Sequence, residues 1–221
     1  MMIQRILHRE LTLHYREPRQ ILYSCLFFFM VLIFFPLTIS TAQTTLRNMA
    51  PGVIWIDMLF AFFLSAERLF QQDYDDGVIE QWILSNHSLG ILLTAKIFMH
   101  WFLNVIPMIV LSPLVGIFFH LNAYETFILM ISLFCGTPAI LFLCALAAAF
   151  GAGLKREGIL MALIVFPLTI PSLLLGSGTL QATLQGLPVQ GYLALLSALS
   201  IIAVSFLPIA IAAVVRINLA E

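Results

Sequence analysis

The 58 residues from Gly158 to Val215 contain no Asp, Glu, Lys or Arg, and no other feature constrains this chain as much. Three shorter uncharged runs accompany it: Gln20 to Leu46 (27 residues), Ile97 to Tyr124 (28) and Thr126 to Leu154 (29). A helix needs about 20 apolar residues to cross a hydrocarbon core roughly 30 Å thick, so each short run holds one span and the long run holds two. The break within the long run is predicted from Gly176-Ser177-Gly178-Thr179 through Gln185-Gly186-Leu187-Pro188, a polar and turn-forming stretch. Val53 to Phe70, interrupted only by Asp57, Glu67 and Arg68, supplies a further span.

The sequence therefore predicts an all-α polytopic membrane protein with six spans, at about 20–40, 53–70, 96–117, 126–150, 158–176 and 192–215. Continuous rather than alternating hydrophobicity excludes barrel strands. Of 221 residues, 62% are hydrophobic and 10% charged, against about 45–50% and 25% in an average soluble chain. A water-soluble domain is excluded, and residues 1–221 read as a single membrane domain. Cys25, Cys135 and Cys144 all fall within predicted spans without metal-ligand or haem-attachment spacing, and read as apolar fillers.

Basic residues are retained on the cytoplasmic side of a membrane. With an even number of spans, Arg5, Arg9, Arg16, Arg19, Arg68, Lys96, Lys155, Arg156 and Arg216 share one side and Arg47 alone lies on the other. Both termini are thus expected in the cytoplasm. The first 19 residues are too charged for the apolar core of a signal peptide, so the first span is expected to remain. Within them Ile3, Ile6, Leu7 and Leu11 recur at helical spacing, predicting an amphipathic helix on the membrane surface, with Pro18 at the corner before the first span.

Between the second and third spans lies the densest charge in the chain, in a loop over residues 71–90. Asp73, Asp76, Gly77, Glu80 and Gln81 share one helical stripe, and Val78, Ile79, Trp82 and Ile83 the opposite one. This predicts one short amphipathic helix, with Asp73 as its N-cap. Glu67, Asp73, Asp75, Asp76 and Glu80 against Arg68 give a net charge of −4, ill suited to an anionic leaflet and well suited to a protein with basic groups. A merely solvated loop would not need the apolar stripe. Glu67 and Arg68 stand where they would fix the angle at which this helix leaves the membrane.

A surface helix before the first span, a cytoplasmic helix between spans two and three, and six spans resemble the layout of exporter-type permeases driven by ATP-binding-cassette subunits. There the loop helix couples the membrane domain to its ATPase. No G-x-x-x-x-G-K-[ST] phosphate loop occurs here, so any ATP would be bound by another polypeptide. The resemblance becomes specific in Ser65-x-Glu67-Arg68-Leu69-Phe70-Gln71-x-Asp73-x-x-Asp76-Gly77-x-x-Glu80-Gln81, which looks like the signature of the haem exporter B family, the CcmB permeases of cytochrome c maturation. Collinear segments similar to the same family include Ala50-Pro51-Gly52-Val53-Ile54-Trp55, His100-Trp101, Gly136-Thr137-Pro138, Leu154-Lys155-Arg156, Pro167-Leu168-Thr169-Ile170-Pro171 and Leu187-Pro188-Val189. Where that family tends to carry prolines after the loop helix, this chain has Ser85-Asn86-His87-Ser88-Leu89.

The resemblance implies a non-catalytic subunit of the bacterial inner membrane, two copies per complex, in contact with membrane lipid and not with nucleic acid. It implies as partners an ATPase dimer, a haem-handling membrane subunit with a small accessory subunit, and a periplasmic haem chaperone. Haem would be handled rather than covalently bound, and ATP would sit on the partner. Glu67, Arg68, Asp73, Asp76, Gly77, Glu80 and Trp82 are the residues expected to couple to the ATPase.

Other polar residues within the spans are candidates for haem or subunit contact. His100 and Asn104 share a face of the third span with Lys96 one turn earlier. Haem iron takes imidazole and its propionates take cations, although a lone intramembrane His also serves as an internal hydrogen-bonding group. His120, beside Tyr124 in an external loop, is a similar candidate, with plain exposure to solvent as the alternative. Asp57, about one turn from the external end of its span, would either face a subunit interface or cavity, or snorkel outward. An intramembrane enzyme is disfavoured because neither G-x-S-x-G nor H-E-x-x-H occurs. An ion- or proton-coupled secondary transporter using Asp57 and His100 would leave the acidic loop without a purpose.

Overall fold

The computed structural model describes residues 9, 11–12, 19–38, 43–67, 69–85, 88–152 and 157–218. Among them the regular structure is all helical: α1 (Arg19–Thr38), α2 (Gln43–Ala66), α3 (Gln71–Asp75), α4 (Val78–Leu84), α5 (Leu89–Phe118), α6 (Ala123–Gly151), α7 (Glu157–Leu184) and α8 (Gln190–Asn218). Five stretches are long and apolar enough to cross a membrane: Gln43–Asp75, Leu89–Phe118, Ala123–Gly151, Met161–Leu184 and Gln190–Asn218. Leu22–Thr38 is a shorter apolar helix beside them. The chain is a polytopic helical membrane protein. Most of the predicted N-terminal amphipathic helix lies outside the described residues, though Arg9, Leu11 and Thr12 are helical.

Helix α6 organises the bundle, packing against α2, α5, α7 and α8. Its buried face is rich in small residues, among them Gly136, Ala139, Ala145, Ala147, Ala148 and Ala149. In lipid, helices gain nothing by hiding apolar surface from one another, so close backbone approach along such a face supplies the packing. Sparse polar ties fix the registers. Trp101 Nε1 of α5 donates to Thr137 Oγ1 of α6 at 2.9 Å. Ser200 Oγ and Asn218 Nδ2 of α8 donate to the carbonyls of Cys135 and Ala149, at 2.5 and 2.8 Å.

Three span boundaries depart from the sequence-based expectation. Helix α2 begins at Gln43, ten residues before Val53, because Arg47 is carried inside the helix and its guanidinium is met by Glu125 of α6. Helix α5 begins at Leu89 rather than Lys96, with Ser88 in the extended N-cap conformation. The fifth span does not stop at Gly176; α7 continues to Leu184, and only the Gln185–Val189 turn, with Gly186 at φ +71°, separates it from α8.

The polar stretch Gly176-Ser177-Gly178-Thr179 stays helical because its hydroxyls bond backward along the helix. Ser177 Oγ donates to the Leu173 carbonyl at 2.7 Å and Thr179 Oγ1 to that of Leu175 at 2.8 Å. The glycines serve packing instead of turning. A methyl group on Gly176 would lie 2.2 Å from Trp55 Cε2, and one on Gly136 2.6 Å from Trp55 Cη2. The indole of Trp55, fully buried, is thus held between α6 and α7 by two absent side chains.

Candidate functional site

The loop between α2 and α5 forms two short helices, α3 and α4, not one. Gly77 divides them in the left-handed conformation at φ +66°, a backbone state that glycine adopts without the steric cost of a β-carbon. The predicted acidic stripe does not stay on one face. Asp75, Asp76 and Glu80 are exposed, whereas Asp73 is buried. The N-cap position is occupied by Phe70, and Asp73 lies inside α3. Ile79 and Trp82 turn into the core, but Ile83 and Leu84, the latter 86% exposed, point outward beside the acids. The exposed face of the loop therefore carries three carboxylates and the amides of Gln72 and Gln81, with Ile83 and Leu84 exposed at the end of α4.

Asp73 is drawn inward by two cations. Its Oδ1 accepts from Arg9 Nη2 at 2.7 Å, and its Oδ2 from Lys96 Nζ at 2.6 Å. Lys96 is itself buried, on α5, while the Arg9 side chain is about a third exposed and belongs to the segment before α1. One carboxylate thus joins three parts of the chain. A charge this far from water is tolerated only when paired, and each Asp73 oxygen has a cation.

One turn further along the same face of α5 begins a second cluster. Ser65 Oγ of α2 lies 2.6 Å from His100 Nε2 and donates to Asn104 Oδ1 at 3.0 Å. Ser24 Oγ of α1 donates to the same Asn104 oxygen at 2.7 Å, and Asn104 Nδ2 donates to the His100 carbonyl at 2.9 Å. All four side chains are at most 1% exposed.

A third cluster sits at the other ends of the helices. Asn122 and Glu125 form a reciprocal capping box at the start of α6, with Glu125 N–H donating to Asn122 Oδ1 and Asn122 N–H to Glu125 Oε2, both at 2.9 Å. Arg47 of α2 donates to Glu125 Oε1. Asn122→Ala is expected to lower stability by about 1 kcal/mol, the usual worth of an N-cap side chain, as read from thermal unfolding in detergent.

A family model described as CcmB protein matches residues 1–218. The chain belongs to this family. It is similar to a protein named heme exporter protein B from Pseudomonas aeruginosa, 42% identical over 216 residues that cover 98% of this chain and 97% of the relative. Proteins of the same name from Haemophilus influenzae and Escherichia coli K12 are 37% and 38% identical over 219 residues, covering 99% of this chain in each case and 99% and 100% of the relative.

Against this CcmB-family background, the predicted residues divide. The structure brings Asp73, Lys96, His100 and Asn104 onto one buried seam, with Trp82 in the adjoining core. Asp76 and Glu80 are exposed with Asp75, Gly77 is half-buried between α3 and α4, Glu67 follows α2 half-buried, and Arg68 lies outside the described residues. His120 stands apart, exposed in the α5–α6 turn at φ 54°. Asp57 does not snorkel: it is 2% exposed, on the α2 face that carries Ile54 and Ala61, and neither carboxylate oxygen has a hydrogen-bond partner among the described residues.

Sequence reading missed Arg9, Ser24, Ser65, Arg47 and Glu125 as functional or structural partners. For Glu125 a signal existed, since Asn122-x-x-Glu125 has capping-box spacing directly before an apolar run. For Ser24 there was none, and for Ser65 only its place at the head of the family signature: a serine in a membrane helix most often bonds its own backbone.

Proposed function

We propose that this chain is the permease subunit of an ATP-driven complex that exports haem across the bacterial inner membrane for c-type cytochrome assembly. The observation that carries the reading is family membership over residues 1–218, with relatives named heme exporter protein B along nearly the whole chain. Six spans with both termini in the cytoplasm fit the placement of nine of the ten basic residues. ATP binding and hydrolysis fall to a separate ATPase dimer, since this chain contains no phosphate loop. A haem-handling membrane subunit, its small accessory subunit and a periplasmic chaperone complete the path, with haem as cargo.

The docking surface for the ATPase is the outer face of α3 and α4: the exposed acids Asp75, Asp76 and Glu80 with Ile83 and Leu84 at the tip. Its partner surface would carry basic groups around an apolar pocket. Glu67, Arg68 and Gly77 set the path by which the chain reaches this face, and Trp82 anchors it to the bundle. Reversing Asp75, Asp76 and Glu80 together to Lys is expected to reduce co-purification of the ATPase subunit at least about tenfold, with loss of c-type cytochromes. Retention of the ATPase by the triple variant would sink the docking assignment.

A further inference from the structure

We infer that Asp73 is a positioning residue, the outer rung of a buried polar ladder on α5 that carries movement of the docking loop into α1 and α2. The inference rests on the docking reading above and extends it to the residues behind the docking surface.

Lys96, His100 and Asn104 recur at intervals of four on α5, so they lie one above another on a single face. Together they reach α1, α2 and α3. Lys96 holds Asp73 of α3 at 2.6 Å, His100 meets Ser65 of α2 at 2.6 Å, and Asn104 receives Ser24 of α1 at 2.7 Å as well as Ser65 at 3.0 Å. Asp73 also holds Arg9, so the segment before α1 is tied to the same rung.

The rungs are closed to water: Asp73, Lys96, His100, Asn104, Ser24 and Ser65 are all buried. A displaced loop cannot exchange these partners for solvent. Either it drags α5 with it, or it breaks the buried Asp73–Lys96 pair at a cost in free energy. Two discrete arrangements are what long-range coupling requires, and a fully satisfied buried network has few others available. Asp73 therefore faces the opposite way from Asp75, Asp76 and Glu80: they receive the partner, and it passes the displacement inward.

Neutralising both members of the pair separates this role from a simple contribution to folding, because neither Asp73 nor Lys96 is left as a charge facing its emptied counterpart. The double variant Asp73→Asn with Lys96→Met is placed in the assembled complex. ATPase co-purification and ATP turnover should stay at wild-type levels, while c-type cytochrome formed per ATP hydrolysed falls about tenfold. Asp73→Glu alone, which retains the charge, should restore most of the coupling. Wild-type cytochrome yield per ATP in the double variant overturns the inference. So does loss of the ATPase subunit, which would make Asp73 part of the docking surface. Should the double variant not accumulate, Arg9→Gln, at a side chain about a third exposed, is measured in the same way. Its yield per ATP should fall about threefold, and an unchanged yield overturns the inference. Failure of the docking assignment reads differently: the triple reversal at Asp75, Asp76 and Glu80 would then keep its ATPase.

Discussion

Asp73→Ala is expected to destabilise the purified protein by about 3 kcal/mol, the lower end of what breaking a buried ion pair costs. The cation that loses its acid is Lys96, whose side chain is 7% exposed. Arg9 adds little to the loss, being exposed enough to become solvated. Adding Lys96→Met should recover most of the stability, because a neutral chain of similar length fills the same space. Denaturant unfolding in detergent micelles of the wild type, the single variant and the double variant closes the comparison. If Lys96→Met fails to rescue, the destabilisation comes from elsewhere in the loop.

Gly176→Val carries the second large effect. Even Gly176→Ala places a methyl group 2.2–2.4 Å from three atoms of the Trp55 ring, and overpacking of that kind costs about 1–3 kcal/mol. The usual escape, rotation of a flexible side chain, is narrow because Trp55 is fully buried and its Cη2 also lies against Gly136, where an added methyl would come within 2.6 Å. Valine adds two further methyls, so the helices α2 and α7 must separate, and loss of folded protein is expected. Gly52→Ala is the matched control. It lies within α2 with nothing inside 4 Å of the added methyl, and alanine is favoured over glycine inside a helix by about 1 kcal/mol. Yield and unfolding temperature in detergent should rank Gly52→Ala at or above wild type, Gly176→Ala below it and Gly176→Val last. A Gly176→Val protein as stable as wild type would refute the clamped indole.

The helices were legible where hydrophobicity alone decides. Ala123–Gly151 and Gln190–Asn218 fall within a few residues of the runs that predict them, since an uncharged stretch of that length has one stable form in lipid. Reading failed wherever a polar residue found a distant partner. Arg47 and Lys96 look like span boundaries because a charge in lipid is costly, yet each is neutralised by an acid far off in sequence, Glu125 and Asp73. Gly176 to Thr179 looks like a turn by composition, and nothing local announces that an indole needs the space. In the loop, the helical stripe correctly grouped Asp76 with Glu80 but carried Asp73 along with them. A single left-handed residue at Gly77 invalidates the periodicity on either side of it.

The central position of α6 has a consequence for how the protein is made. Helices α1 and α2 and the docking loop leave the ribosome before Ala123, whereas α6 supplies the surface on which α2 and α5 pack. The polar ladder can close within the first half of the chain, but Arg47 and Trp101 must wait in the bilayer for Glu125 and Thr137 until α6 has been synthesised. Nascent chains arrested before residue 123 should thus be exposed to membrane quality control, and those arrested after α6 has left the translocon should be progressively protected from it.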